Sequence, residues 1–126
     1  MIKFRAWDKQ EKRMLVVYRI SFDGPIEGAQ VHCYLDDRGA EGSTEYAYDG
    51  DGLILEQFTG LKDVNGKDIY EGDILENRKY RSIVKFARGK FLADVVGVIS
   101  RFDLIGEIHG SKVIGNVHAN PELLKG

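Results

Sequence analysis

The sequence predicts a mostly β fold with minor α: a small barrel from about residue 53 onward, packed with an N-terminal β-hairpin subdomain. Three observations carry this. Apolar residues alternate with polar ones in several short runs, the period of a half-buried strand. Five or six such runs follow one another between residues 53 and 118 at the spacing typical of small barrels. Fifteen glycines against two prolines point to many tight turns and few rigid linkers. At 126 residues, with 43% hydrophobic and 30% charged content, the chain suits one ordinary core. The expected organisation is residues 1–52 as the hairpin subdomain and 53–126 as the barrel, forming one compact unit.

The first run is IKFRAW, with Ile2, Phe4 and Ala6 on one face and Lys3, Arg5 and Trp7 on the other. A charged loop, DKQEKR, follows. Met14, Val16, Tyr18, Ile20 and Phe22 then alternate in phase, so the two runs read as a hairpin. Residues 23–52 are acidic and glycine-rich, an excursion in which only AQVHCYL suggests a short strand.

LILEQF is a short strand expected to end at Thr59-Gly60. Asn65-Gly66 is the dipeptide that best accepts positive φ at both centres of a hairpin turn. Glu71-Gly72-Asp73 makes a second turn into Ile74-Leu75. In SIVKFARGKFLADVVGV, a tip at Arg88-Gly89 sets Phe86 opposite Phe91 and Val84 opposite Ala93. Lys85 and Lys90 then lie on the other face. SRFDLIGEI and KVIGNVH read as two further strands. Asn120-Pro121 reads as an N-cap and N1 pair opening one helical turn.

A net charge of -2 hides an asymmetry. Six basic residues and no acidic one lie between Asn77 and Lys90, whereas seven acidic residues and one basic lie between Asp36 and Glu56. A dipole of this kind suits self-association or a basic face toward a polyanion. The candidate nucleic-acid-binding residues are Arg78, Lys79, Tyr80, Arg81, Lys85, Arg88 and Lys90. Cations supply phosphate contact there, and the interleaved tyrosine supplies stacking. Charged outer faces are equally the ordinary defence of a hairpin against edge pairing.

Motifs for catalysis or cofactors fail on spacing. GEIHGSK has too few residues between its glycines for a phosphate loop and the wrong order after them. Asp49-Gly50-Asp51-Gly52 lacks the third oxygen ligand of a calcium loop, since Leu53 stands there. His32, His109 and His118 have no metal-ligand spacing. Cys33 is the single cysteine, so it forms no internal disulfide and fits a reducing cytoplasm. The opening residues have no signal-type apolar segment, and no apolar run reaches spanning length. No catalytic residue, metal site or cofactor is expected, and no membrane association.

IKFRAWDK with the following KRM, the central QFTGLKDVNGKDIYEGDIL, the VKFARGKF hairpin and the closing VIGNVHANPELL together resemble the YopX family. The resemblance runs in order over almost the whole chain and leaves out the acidic stretch 24–52. It implies an SH3-like barrel in the C-terminal part, an origin in a phage or prophage, and expression in the bacterial cytoplasm. It implies no biochemical activity and carries over no site residue.

The function expected is that of a phage accessory protein, a non-catalytic binding module that forms homo-oligomers, with a host or phage protein as a possible further partner. The first alternative is nucleic-acid binding through the basic hairpin. An enzyme or small-ligand binder using His109 and His118 is the weakest.

Overall fold

The computed structural model describes residues 3–21, 30–34, 45–48 and 53–125; for residues 18, 19, 21, 30–34 and 45–48 the description is of backbone alone. The protein is mostly β. Two compact units divide the chain, Met1–Gln57 and Phe58–Gly126.

In the first unit, β1 (Phe4–Asp8) and β2 (Arg13–Ser21) form the expected hairpin, with Asp8 opposite Arg13. The Asp8 carboxylate shapes the turn by accepting the N–H groups of Gln10 and Glu11 at 3.0 and 3.2 Å. Beyond β2 come β3 (Gln30–Tyr34) and β4 (Glu45–Tyr48), each antiparallel to its predecessor. The short strand expected in AQVHCYL is therefore present, and β4 lies where an irregular excursion was expected. The rest of that excursion, including Asp49-Gly50-Asp51-Gly52, lies outside the described residues.

On the other side of β1 runs β5 (Leu53–Lys62), whose residues 53–57 pair with β1 and so belong to the first unit. Ala6, Leu15 and Leu53 form the core, with Val17 and Leu55 against it. This corrects the expected phase of β2. Leu15, which lies opposite Ala6, is buried, whereas Val16 is exposed. The strand is apolar on both faces, so alternation alone could not choose between them. On the opposite face of β1 and β5, Arg5 Nε donates to Glu56 Oε1 at 2.9 Å, and both side chains are largely buried.

In the second unit, residues 58–62 of β5 pair with β6 (Asp68–Tyr70). A five-stranded antiparallel sheet follows, built from β7 (Asp73–Glu76), β8 (Arg81–Ala87), β9 (Lys90–Val95), β10 (Arg101–Asp103) and β11 (Lys112–Asn116), in the order β10-β9-β8-β7-β11. Ile69, Leu75, Val84, Ala93 and Leu104 are its core. Each large apolar side chain buried there stabilises the fold by about 2 kcal/mol.

Several expectations are refined here. β5 does not stop at Thr59-Gly60 but passes through Gly60 at φ 82° and shifts register. Thr59 holds the irregularity: its hydroxyl donates to Ile69 O at 2.7 Å and accepts the Leu61 N–H at 3.1 Å. The Asn65-Gly66 turn is longer than a two-residue hairpin loop. Gly66 N–H bonds Asp63 O, Asp63 N–H bonds Lys67 O, and only Gly66 has positive φ. That is a type I turn closed by a left-handed glycine. SRFDLIGEI gives only the short β10, because Leu104 turns into the core and the chain enters a 3-10 turn, Leu104–Gly106. The C-terminal helical turn is also 3-10 (Pro121–Leu124), with Pro at its start. Asn120 does not cap it through its side chain: Asn120 Oδ1 instead accepts the Asn116 N–H at 3.2 Å.

Among the described residues no helix is long and apolar enough to cross a membrane.

Candidate functional site

The stretch from Asp63 to Asp73 is turn machinery. Asp63, 7% exposed, accepts N–H groups of Asn65 and Lys67 through Oδ1 at 2.8 and 2.9 Å, and of Val113 through Oδ2 at 2.8 Å. Asp73 Oδ2 accepts the Tyr70 N–H at 2.8 Å, while Gly72 takes φ 89° between β6 and β7. The Asp63 and Asp73 carboxylates thus accept backbone N–H groups and shape these turns.

The basic segment is distributed over two turns and one strand face. Asn77 Oδ1 accepts the N–H groups of Lys79 and Tyr80, forming the β7–β8 turn that presents Arg78 and Lys79 to solvent. Arg88 sits at the β8–β9 tip, where it and Gly89 take φ 55° and 80°. β8 separates these ends by roughly 20 Å at strand rise.

Arg81 and Lys85 on β8 and Lys90 at the start of β9 lie on one face of the sheet, and each has an acidic partner. Arg81 Nε meets Glu76 at 3.0 Å, Lys85 Nζ meets Asp94 at 2.8 Å, and Lys90 Nζ meets Asp103 at 2.8 Å. Arg81 also donates to Leu123 O at 3.1 Å. Tyr80 stacks on Phe102 with centroids 5.8 Å apart, and its hydroxyl donates to Glu107 at 2.8 Å. Burial and the Glu107 carboxylate push its phenol above the ordinary value. Arg78, Lys79 and Arg88 remain the exposed cations of the cluster without an acidic partner among the described residues.

The β8–β9 register is as the alternation predicts, with Phe86 opposite Phe91 and Val84 opposite Ala93. Val84 and Ala93 are fully buried, but Phe86 at the tip is exposed and rests on Phe91 at 4.9 Å. His109 lies in the turn after the 3-10 segment, and His118 donates its N–H to Asn116 Oδ1. Among the described residues no three His, Cys, Asp or Glu side chains are placed to hold a metal ion. His32 and Cys33 lie on β3, where side chains are outside the description.

A different surface went unnoticed in the sequence. Val98, Ile99, Phe102 and Ile105 are 60%, 106%, 43% and 65% exposed, and all four lie within or beside the edge strand β10. One groove beside β10 is lined by Val95, Val98, Ile99 and Arg101. A hollow of about 210 Å³ near its other end is lined by Leu61, Phe91, Leu104 and Ile105. Gly97 explains why the sequence misled: its φ of 86° ends β9 at Val95, so residues expected to extend a strand form an apolar turn instead. Clustered exposed apolar side chains on a sheet edge mark a protein-binding surface.

A family model described as YopX protein matches residues 3–125. The chain belongs to the YopX family. It is also similar to the crystal structure of protein EF1440 from Enterococcus faecalis, at 31% identity over 99% of each chain and a TM-score of 0.66. No curated protein matches it. The family match and the structural likeness each span both compact units of the chain.

Proposed function

We propose that this YopX-family protein is a non-catalytic, self-associating binding module, encoded by a phage or prophage and acting in the cytoplasm of its bacterial host. In this reading the second unit is an SH3-like barrel that serves as the platform for association. The observation that carries it is the exposed apolar set Val98, Ile99, Phe102 and Ile105 gathered on one sheet edge that has no partner strand among the described residues. A soluble monomer gains nothing from such an edge, whereas a partner strand satisfies its backbone and covers its side chains. A host or phage protein is the further partner class. Light scattering across the micromolar range tests the proposal: the mass rises above one chain with concentration. A single-chain mass throughout contradicts it.

A second reading, nucleic-acid binding through Arg78, Lys79, Tyr80, Arg81, Lys85, Arg88 and Lys90, is favoured by three exposed cations, Arg78, Lys79 and Arg88, that have no acidic partner among the described residues. Fluorescence anisotropy of labelled DNA and RNA at two salt concentrations tests it. Binding on this reading is salt-sensitive and is lost in R78E/K79E, while R81E has less effect because Arg81 already serves Glu76.

A further inference from the structure

We propose that β10 is the self-association edge, and that two copies join β10 to β10 antiparallel about a two-fold axis at Phe102, with Arg101 of each copy opposite Asp103 of the other. This rests on the self-association reading above and names its surface and register.

The backbone geometry comes first. Val95 N–H bonds Ser100 O at 2.9 Å, so the Ser100 carbonyl points toward β9. Backbone groups of successive strand residues point to alternate sides, so Phe102, opposite Ala93, also turns its N–H and C=O toward β9. Those of Arg101 and Asp103 therefore point outward at the free edge. An antiparallel second copy centred on Phe102 sets Arg101 against Asp103 in both directions. Each of these is a hydrogen-bonded pair, so the outward donors and acceptors are satisfied. The two Phe102 residues then form the closer, non-hydrogen-bonded pair on the axis.

The side chains select this register. Arg101 and Asp103 stand on one face, 58% and 59% exposed. Shifting the pairing by one step either way along the strands keeps the hydrogen-bonding parity. One such shift sets Arg101 against Arg101, and the other sets Asp103 against Asp103. Both oppose like charges, which destabilises a strand pair. Only the pairing centred on Phe102 is charge-complementary. It extends an existing row, because Arg101 already lies 3.4 Å from Asp94, and Lys90 lies 2.8 Å from Asp103.

The flanking apolar groups fit the same arrangement. Ile99 precedes β10 and Ile105 follows it, so antiparallel pairing brings Ile99 of one copy to the end of the other that carries Ile105 and its hollow. Exposed apolar side chains at both ends are thus covered by one symmetric contact.

The test is sedimentation velocity on the full chain with R101E, D103R and the double variant R101E/D103R, beside disulfide trapping with F102C and R101C in a C33S background. Each single reversal weakens dimerisation about tenfold, since it converts two opposed pairs from attraction to repulsion. The double variant restores dimerisation although it breaks the contacts to Asp94 and Lys90, which a merely structural role for those residues does not allow. F102C crosslinks between copies on oxidation, and R101C does so far less, because the two copies of residue 101 are offset along the strands. Dimers insensitive to all three charge variants, or equal crosslinking at both cysteine positions, overturn the β10 pairing and leave self-association standing. A monomer at every concentration overturns both. Circular dichroism of each variant establishes that it is folded.

Discussion

Asp63 and Val113 are tied by a hydrogen bond of 2.8 Å from the Val113 N–H to Asp63 Oδ2, across a separation of fifty residues. The same carboxylate closes its own hairpin turn through Asn65 and Lys67. One side chain therefore fixes a local turn and holds β11 to it. Asp63→Ala strands three backbone donors in a buried position and lowers stability by about 3 kcal/mol. Asp63→Asn keeps an oxygen for the turn but sets an amide N–H₂ against Val113, and it costs about 2 kcal/mol. Urea unfolding midpoints measure both.

Asp63 also gives stability a defined dependence on pH. Burial alone would raise its pKa, but the three N–H donors and nearby Lys67 outweigh it and hold the carboxyl below the ordinary 3.8. A folded-state value below the unfolded one means that the unfolded chain takes up the proton first. The contribution is intact well above 3.8, declines as pH falls past it, and is gone once the folded carboxyl protonates. Asp94 adds in the same direction: the hydrogen bond from Lys85 lowers its pKa and outweighs burial, and Lys85 and Arg101 add charge. Stability measured from neutral to strongly acidic pH falls more shallowly in Asp63→Asn than in the parent protein.

Gly115 is required by packing. A Cβ at this position would lie 2.5 Å from Asn120 Oδ1, the atom that accepts the Asn116 N–H. Gly115→Ala costs about 2 kcal/mol by displacing that side chain. Asn120→Ala costs about 1 kcal/mol for the lost acceptor. The double variant is less destabilised than the sum, because the side chain that clashes is already gone. A double-mutant cycle by chemical denaturation reads the difference.

The tip of the β8–β9 hairpin is under mild strain at Arg88, a side-chain-bearing residue at φ 55° beside Gly89 at φ 80°. Arg88→Asn gives the preferred pair for this turn and stabilises by about 0.5 kcal/mol. Gly89→Ala destabilises by about 1 kcal/mol. Thermal melts of the two variants move in opposite directions.

Most of the strands were legible in the sequence, for physical reasons that differ by place. β8 and β9 follow from alternation across Arg88-Gly89, because a two-residue turn leaves register no freedom. The loop at Asn65-Gly66 was legible as a turn but not as its type. Asp63, two residues earlier, accepts backbone N–H groups and lengthens it, a signal that the sequence does carry. The face of β2 was not legible, because Leu15, Val16 and Val17 are all apolar. The β10 surface was hidden for a different reason. Val98 reads as the end of the β8–β9 hairpin and Ile99 falls between two expected strands, whereas β9 ends at Val95 and Gly97 takes a positive φ, which leaves both side chains exposed. The basic segment is a cluster in the sequence. Its division into paired and unpaired cations depends on acids contributed by β7, β9 and β10.

Amide hydrogen exchange at Arg101 and Asp103, followed by NMR as a function of protein concentration, tests the central claim most directly. In the monomer both N–H groups point away from β9, at an edge with no partner strand among the described residues, and exchange freely. Protection that rises at both residues together with concentration, while Phe102 stays protected throughout, is the result predicted for β10 joined to β10. Fast exchange at Arg101 and Asp103 under conditions where the protein is measurably oligomeric contradicts it.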